Sequence, residues 1–238
     1  MRFGHTREIW RDYPELVPGV LFARGITADC CVDDRAGVFT ARARARLAGG
    51  SEAELPEIQA WRRAFARMGL KPTQYRCAAE SLLRRYRKEG ALPRIHPLVD
   101  LCNAISLAFA IPVAVLDVSR ISGFCEVRYA NGDETYQAFS GAEETPEPAE
   151  VIFADGARQA HARRWTNRQS ARSAVRTSTS SVLIVAEAMH DSAAADVTDL
   201  VATIAGELGT VWSANTEQAI LTSASPWFSF AEVASGTG

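Results

Sequence analysis

The absences come first, because each removes a class of chemistry. The five cysteines (Cys30, Cys31, Cys77, Cys102 and Cys125) are odd in number and show no CxxC spacing. That argues against a disulfide framework and against a thiolate zinc site. The four histidines include no HxH or HxxxH pair, so neither a metal nor another cofactor is expected. There is no GxxxxGKS or GxxxxGKT loop and no GxGxxG to cradle a phosphate, and no GxSxG elbow to present a serine nucleophile. No apolar run reaches the roughly 18–20 residues that span a bilayer. The richest stretch, Ile105 to Leu116, is interrupted by Ser106 and Pro112. The opening "MRFGHTREIWRDYPEL" is charged and lacks the apolar centre of a secretion signal. These absences predict a cytoplasmic protein with no membrane contact.

One further absence is local. From Ala157 to Ala186 there is no Asp or Glu, although six arginines and one histidine occur there and the chain as a whole carries a net charge of −2. The centre of this segment reads "RRWTNRQSARSAVR". Guanidiniums beside Asn and Gln amides form a donor-rich surface suited to phosphate, and Trp165 offers a ring on which a base can stack. The alternative is a solvated arginine face around a tryptophan packed in the core.

What is present reads as an ordinary globular chain, 47% hydrophobic and 23% charged. Val17–Ile26 reads as a buried strand ending at Gly25. Pro56 opens a helix with Ile58, Trp61, Phe65 and Met68 at helical spacing and Gly69 at its end. A second helix follows Lys71-Pro72 and buries Tyr75, Ala79, Leu82, Leu83 and Tyr86, with arginines on its other face. A third runs from His96-Pro97 to about Ala110, and Pro112 hands over to the strand "VAVLDV". "FCEVRYANGDETYQAF" reads as a hairpin turning at Asn131-Gly132. An acidic loop, "GAEETPEPAE", precedes the strand "VIFAD". "SVLIVAEAM" is a strand, "ADVTDLVATIAGELG" an amphipathic helix and "TEQAILT" the final strand. Residues 232–238 read as a disordered tail. This order predicts one α+β domain over residues 1–238, with mixed sheets flanked by helices. The run "ARARARLAGG" fits a solvated strand or helix face.

A second constellation lies in "RIHPLVDLCNAISLAFAIPVAVLD". Asp100 and Asn103 share a helix face, His96 precedes the helix and Asp117 closes the following strand. Each also has a structural reading: a cap for His96, a first-turn carboxylate for Asp100 and a strand-end polar group for Asp117.

In chain order, the pieces "WRRAFARMGLKPTQYRCAAESLLRR", "LPRIHPLVDLCNAISLAF", "IPVAVLD", "ANGDETYQAF", "AEVIFAD" and "RRWTNRQSARSAV" resemble the freestanding B3/B4 module. That module is the editing region of the phenylalanyl-tRNA synthetase β subunit, and the likeness is clearest over 58–187. The resemblance implies a tRNA partner whose misacylated 3′ end enters a pocket for ester hydrolysis. For such a reaction the candidate catalytic residues are His96, the nearby group whose ordinary pKa suits a general base, with Asn103 and Gln169 to orient water or the substrate's amino group. The resemblance places Arg163, Arg164 and Arg168 on phosphates, Trp165 on the terminal adenine, and Asp100, Asp117, Asn167 and Ser170 around the substrate. The chain departs from the synthetase pattern at three points. Cys102 stands for the pocket threonine, Ala114 for the pocket histidine, and no carboxylate lies between Asp155 and Glu187 where the pocket glutamate belongs. A non-catalytic RNA- or amino-acid-binding module is one alternative. Another is an interaction scaffold whose own acidic loop, Glu143 to Glu150, covers the basic face.

Overall fold

Proline sets two helix starts, because its fixed φ suits the first helical turn and its missing N–H costs nothing there. Pro56 begins one and Pro97 the other. In the computed structural model, which describes residues 1–231, the first half comprises β1 (Arg2–His5), α1 (Arg7–Asp12), β2 (Val17–Arg24), α2 (Asp33–Leu47), α3 (Pro56–Arg67), α4 (Ala78–Glu89) and α5 (Pro97–Phe109). The strands β3 (Val113–Asp117), β4 (Phe124–Tyr129), β5 (Thr135–Gln137), β6 (Glu143–Glu144) and β7 (Val151–Asp155) follow. The chain continues through β8 (Gln159–Arg163), β9 (Arg168–Gln169), β10 (Ser181–Ala188), α6 (Ala193–Trp212), β11 (Asn215–Ile220) and β12 (Trp227–Ser229). The tail expected at 232–238 lies outside the described residues. No helix among the described residues is long and apolar enough to cross a membrane.

The strands form two sheets, ordered β12-β1-β4-β7-β8-β5-β6, with β9 on β8, and β11-β2-β10-β3. The smaller sheet is antiparallel throughout, and the larger one mixes in two parallel pairs, β1 with β4 and β5 with β8. Side chains alternate across a strand, so the smaller sheet is apolar on both faces. Leu21, Ala23, Val182 and Ile184 pack on α5 and α6, where they meet Leu101, Ile105, Leu200 and Ile204. Val20, Phe22, Leu183 and Val185 face the other way, toward Phe3, Val127 and Phe153 of the larger sheet and Trp61 and Phe65 of α3. A Cβ on Gly19 would sit 2.5–2.6 Å from Val201 and Val197, so the missing side chain lets α6 approach β2 closely. The architecture is α+β.

The hairpin expectation is corrected. The two runs flanking Asn131-Gly132 do not pair with each other: β4 lies between β1 and β7, and β5 pairs with β8 and β6. A type I′ turn needs positive φ at both central residues, but here only Gly132 of the two is left-handed. The buried Glu134 carboxylate explains the alternative, because it accepts the N–H groups of Asn131 (3.0 Å) and Gly132 (3.1 Å) and pairs with Arg128 (2.5 Å). Burial pushes this carboxyl up, but the Asn131 N–H and Arg128 outweigh burial and hold it below its ordinary value. A depressed carboxylate stabilises the fold above its unfolded pKa and loses that contribution as pH falls through the folded value. Glu134→Gln is therefore expected to cost about 1–3 kcal/mol at neutral pH. Urea unfolding of the two proteins at neutral and at acid pH checks this, since the gap should close on acidification.

Two other expectations shift. "TEQAILT" forms β11 but is not the last strand, because β12 follows and borders β1. The second helix begins at Ala78, after Cys77, whose Sγ accepts the Glu80 N–H, so Tyr75 lies in the preceding turn. The Arg-Ala run is the exposed face of α2, which buries Ala43.

Candidate functional site

The acid-free segment turns on two left-handed residues, Arg164 (φ 47°) and Trp165 (φ 58°). Non-glycine residues rarely adopt this conformation in succession. Trp165 N–H donates to Val151 O, which fixes the turn and sends the indole inward. The ring is fully buried, edge-on to Tyr13 (4.8 Å) and Trp61 (5.2 Å). Its Nε1–H donates to Glu187 Oε1 at 2.9 Å. Trp165 is therefore a core residue, and the expected stacking on a terminal adenine is corrected: the ring has no exposed face to offer.

Arg163 is also buried, with its Nε and Nη2 on the two oxygens of Glu150 (2.9 and 2.7 Å) and its Nη1 on Glu144 (2.6 Å). Arg168 makes two 3.0 Å bonds to Glu144. The acidic loop thus occupies two of the three guanidiniums expected on phosphates. Arg164 differs: it stacks on Tyr75 (4.8 Å) and makes no ion pair among the described residues. Ser170 is buried and donates to Gln137 O, so it serves the fold.

The two amides of the segment do reach a common cavity. Asn167 Nδ2 donates to Arg76 O (2.7 Å) and Gln169 Nε2 to Val115 O (2.8 Å), each leaving a second N–H free of those bonds. Together with Ala114 and Glu187 they line a cavity of about 60 Å³ at the seam of the two sheets. That is room for a few waters or a group of methyl size, and too little for an aromatic ring.

The expected catalytic set is not assembled. Asp100 and Asn103 share a helix face as predicted, but that face turns toward α2 and lines a different cavity, of about 230 Å³, with Arg44 and Arg94. Cys102 points the other way into the core, where burial pushes its thiol up to about 12. His96 caps α5, its Nδ1 accepting Leu98 N–H at 3.2 Å, and burial lowers its pKa. Asp117 is held by Ser119 and by Thr179 Oγ1 (2.7 Å) at the end of β3. Of His96, Asn103 and Gln169, only Gln169 lines the cavity at the sheet seam.

Two residues were missed. Glu187 lies in β10, in the otherwise apolar run "SVLIVAEAM", and is 2% exposed. A carboxylate in such a strand demands a partner, and that was the available signal. The partner is His5 of β1, whose Nε2 lies 2.7 Å from Glu187 Oε1. Nothing in the sequence links residues 182 positions apart. Besides these clusters, Glu57, His190 and Asp196 bring ligand-type atoms within 4.8 Å of one another, but Arg46 already supplies a cation there by pairing with Glu57.

Fold and site together define a two-sheet α+β domain with a small, mostly apolar cavity at the sheet seam, into whose lining two amides and a buried carboxylate are set. The model of the B3/4 domain matches residues 60–224, more than half of the chain, and the chain belongs to that family. It is similar to the phenylalanine–tRNA ligase beta subunit of Shewanella oneidensis, at 26% identity over 89 residues. This match covers 37% of the chain and 11% of that subunit. A solved N-terminal fragment of the phenylalanyl-tRNA synthetase β subunit from Pyrococcus horikoshii aligns with a TM-score of 0.48 and 8% identity. The alignment covers 92% of this chain and 53% of that one.

Proposed function

We propose that the cavity at the sheet seam receives the aminoacylated 3′ end of a tRNA, and that the protein cleaves the ester of a mischarged aminoacyl-tRNA in trans. The observation that carries this reading is the convergence of the Asn167 and Gln169 amides with the Glu187 carboxylate in one cavity. Ester hydrolysis needs a positioned water and donors for the developing oxyanion, and the spare amide N–H groups supply such donors. Membership of the B3/4 family and likeness to a tRNA ligase subunit support tRNA as the partner. Arg164, with the exposed Arg172 and Arg176, gives unpaired charge for the nearby phosphates. The cavity's small volume favours a small amino acid over an aromatic one.

Deacylation assays with tRNAs charged with alanine, serine, phenylalanine and tyrosine test the proposal. The expected result is cleavage of the first two in preference to the aromatics. No rate above spontaneous hydrolysis for any of them, with folded protein, removes the enzymatic reading.

A second reading, binding without turnover, is favoured by the ion pairs of Arg163 and Arg168 with Glu144 and Glu150, which leave fewer arginines for RNA. It predicts tRNA retention on filters that weakens with salt, with a logarithmic slope of about 2–3 for the few free arginines.

A further inference from the structure

The sequence places alanine where the related editing pocket has histidine and leaves the acid-free segment without a carboxylate, yet both groups are present in space. We propose that Glu187 is the general base of this cavity and that His5, from the other sheet, is the residue that positions it. The proposal rests on reading the site as an ester hydrolase.

Three observations support it. Glu187 lines the cavity beside Asn167 and Gln169. Its Oε1 is committed, accepting Trp165 Nε1–H at 2.9 Å and bonding His5 Nε2 at 2.7 Å, whereas its Oε2 takes no hydrogen bond from any described residue. The carboxylate is thus held by one oxygen and free at the other, as a base that must take a proton from water requires. The proposed base is an ionised carboxylate, which only accepts, and it therefore calls for the His5 tautomer that carries its proton on Nε2. His5 itself is fixed by Phe3 and Trp10, whose rings pack edge-on at 5.5 Å. Its Nδ1 is buried without a partner among the described residues, so its one hydrogen bond is spent on Glu187.

The step balances without a further reactant. Glu187 Oε2 takes a proton from water as the water oxygen bonds to the ester carbonyl carbon, and the carbonyl electron pair moves to oxygen beside the Asn167 and Gln169 amides. Collapse of that intermediate breaks the bond to the ribose oxygen, which takes the proton back from Glu187. The products are the free amino acid and the tRNA hydroxyl.

The test is a kcat and KM comparison on tRNA charged with the preferred small amino acid. Glu187→Gln is expected to lower kcat by about 10²–10⁴-fold with little change in KM, and to remove the low-pH limb of the rate profile. The amide oxygen still accepts from Trp165, so the fold is kept. Glu187→Asp, one methylene shorter, serves as the second variant: it should retain the limb at a reduced rate. His5→Phe is expected to lower kcat, and His5→Gln, which restores a donor near the position of Nε2, to recover most of the loss. Wild-type turnover combined with an unaltered rate and pH limb in Glu187→Gln overturns the proposal and leaves the proposed function standing. A wild type without turnover overturns both.

Discussion

Arg163→Met is expected to destabilise the protein by about 3–5 kcal/mol, the range for stranding one partner of a buried ion pair. Arg163 and Glu150 are 5% and 8% exposed at their side chains. Without the guanidinium, the Glu150 carboxylate keeps only two backbone donors, the Arg164 N–H (2.9 Å) and the more distant Glu147 N–H (3.3 Å). Burial pushes Glu150 up, and it is Arg163, by hydrogen bond and charge, that brings it net below its ordinary value. A depressed carboxylate gives its stability above the unfolded pKa and loses it as pH falls through the folded pKa. The penalty should therefore be largest at neutral pH and shrink on acidification. The control is Arg168→Met: that guanidinium is 38% exposed, and its pair with Glu144 contributes about 0–1 kcal/mol. Urea unfolding of both variants at two pH values decides the matter. Equal costs would mean that the acidic loop lies on the arginines without being anchored by them.

The second large effect is at Trp165. Truncation to alanine is expected to cost about 3–5 kcal/mol, because a fully buried indole leaves a cavity between Tyr13 and Trp61. Trp165→Phe separates the two contributions of the side chain. Most of the packing remains, but the Nε1–H bond to Glu187 is lost, and the expected cost falls to about 1–3 kcal/mol. Thermal or urea unfolding reads the stability, and filter binding reads the RNA. The folded Phe variant should bind tRNA as the parent does, since the ring is not a stacking platform. A loss of binding with intact folding would return Trp165 to the interface.

Trp165 also shows where the sequence was legible. Helices were readable because their signals are local: Pro97 after His96 opens α5, and the apolar spacing from Ile58 to Phe65 buries one side of α3. Strand partners were not, because pairing is non-local. Asn131-Gly132 carried a strong hairpin signal, yet Glu134 captured those N–H groups and the flanking strands found other neighbours. At the site, Asn167 and Gln169 of the acid-free segment line one cavity, whereas Asn103, expected beside them, lines another and Asp117 lines neither. Arg163 and Trp165 point inward for separate reasons: Arg163 ends β8 and is held by Glu144 and Glu150, and the left-handed turn at 164–165 folds the indole between Tyr13 and Trp61. The acidic loop was suspected of covering the arginines, and Glu144 and Glu150 hold Arg163 and Arg168. His5 and Glu187 illustrate the limit, since each becomes meaningful only once two sheets are stacked.

That stacking has a mechanical consequence. His5 is laddered to Val127 of β4 and Glu187 to Pro18 of β2, so their 2.7 Å contact spans the gap between separate sheets. It acts as a gauge of that gap. A bulkier or smaller residue at Phe22, or at Phe153 or Val185 in the cavity wall, alters the sheet spacing before it breaks a ladder, and the aim of the carboxylate moves with it. In a protein built this way, ordinary drift in core volume becomes drift in the alignment of the site.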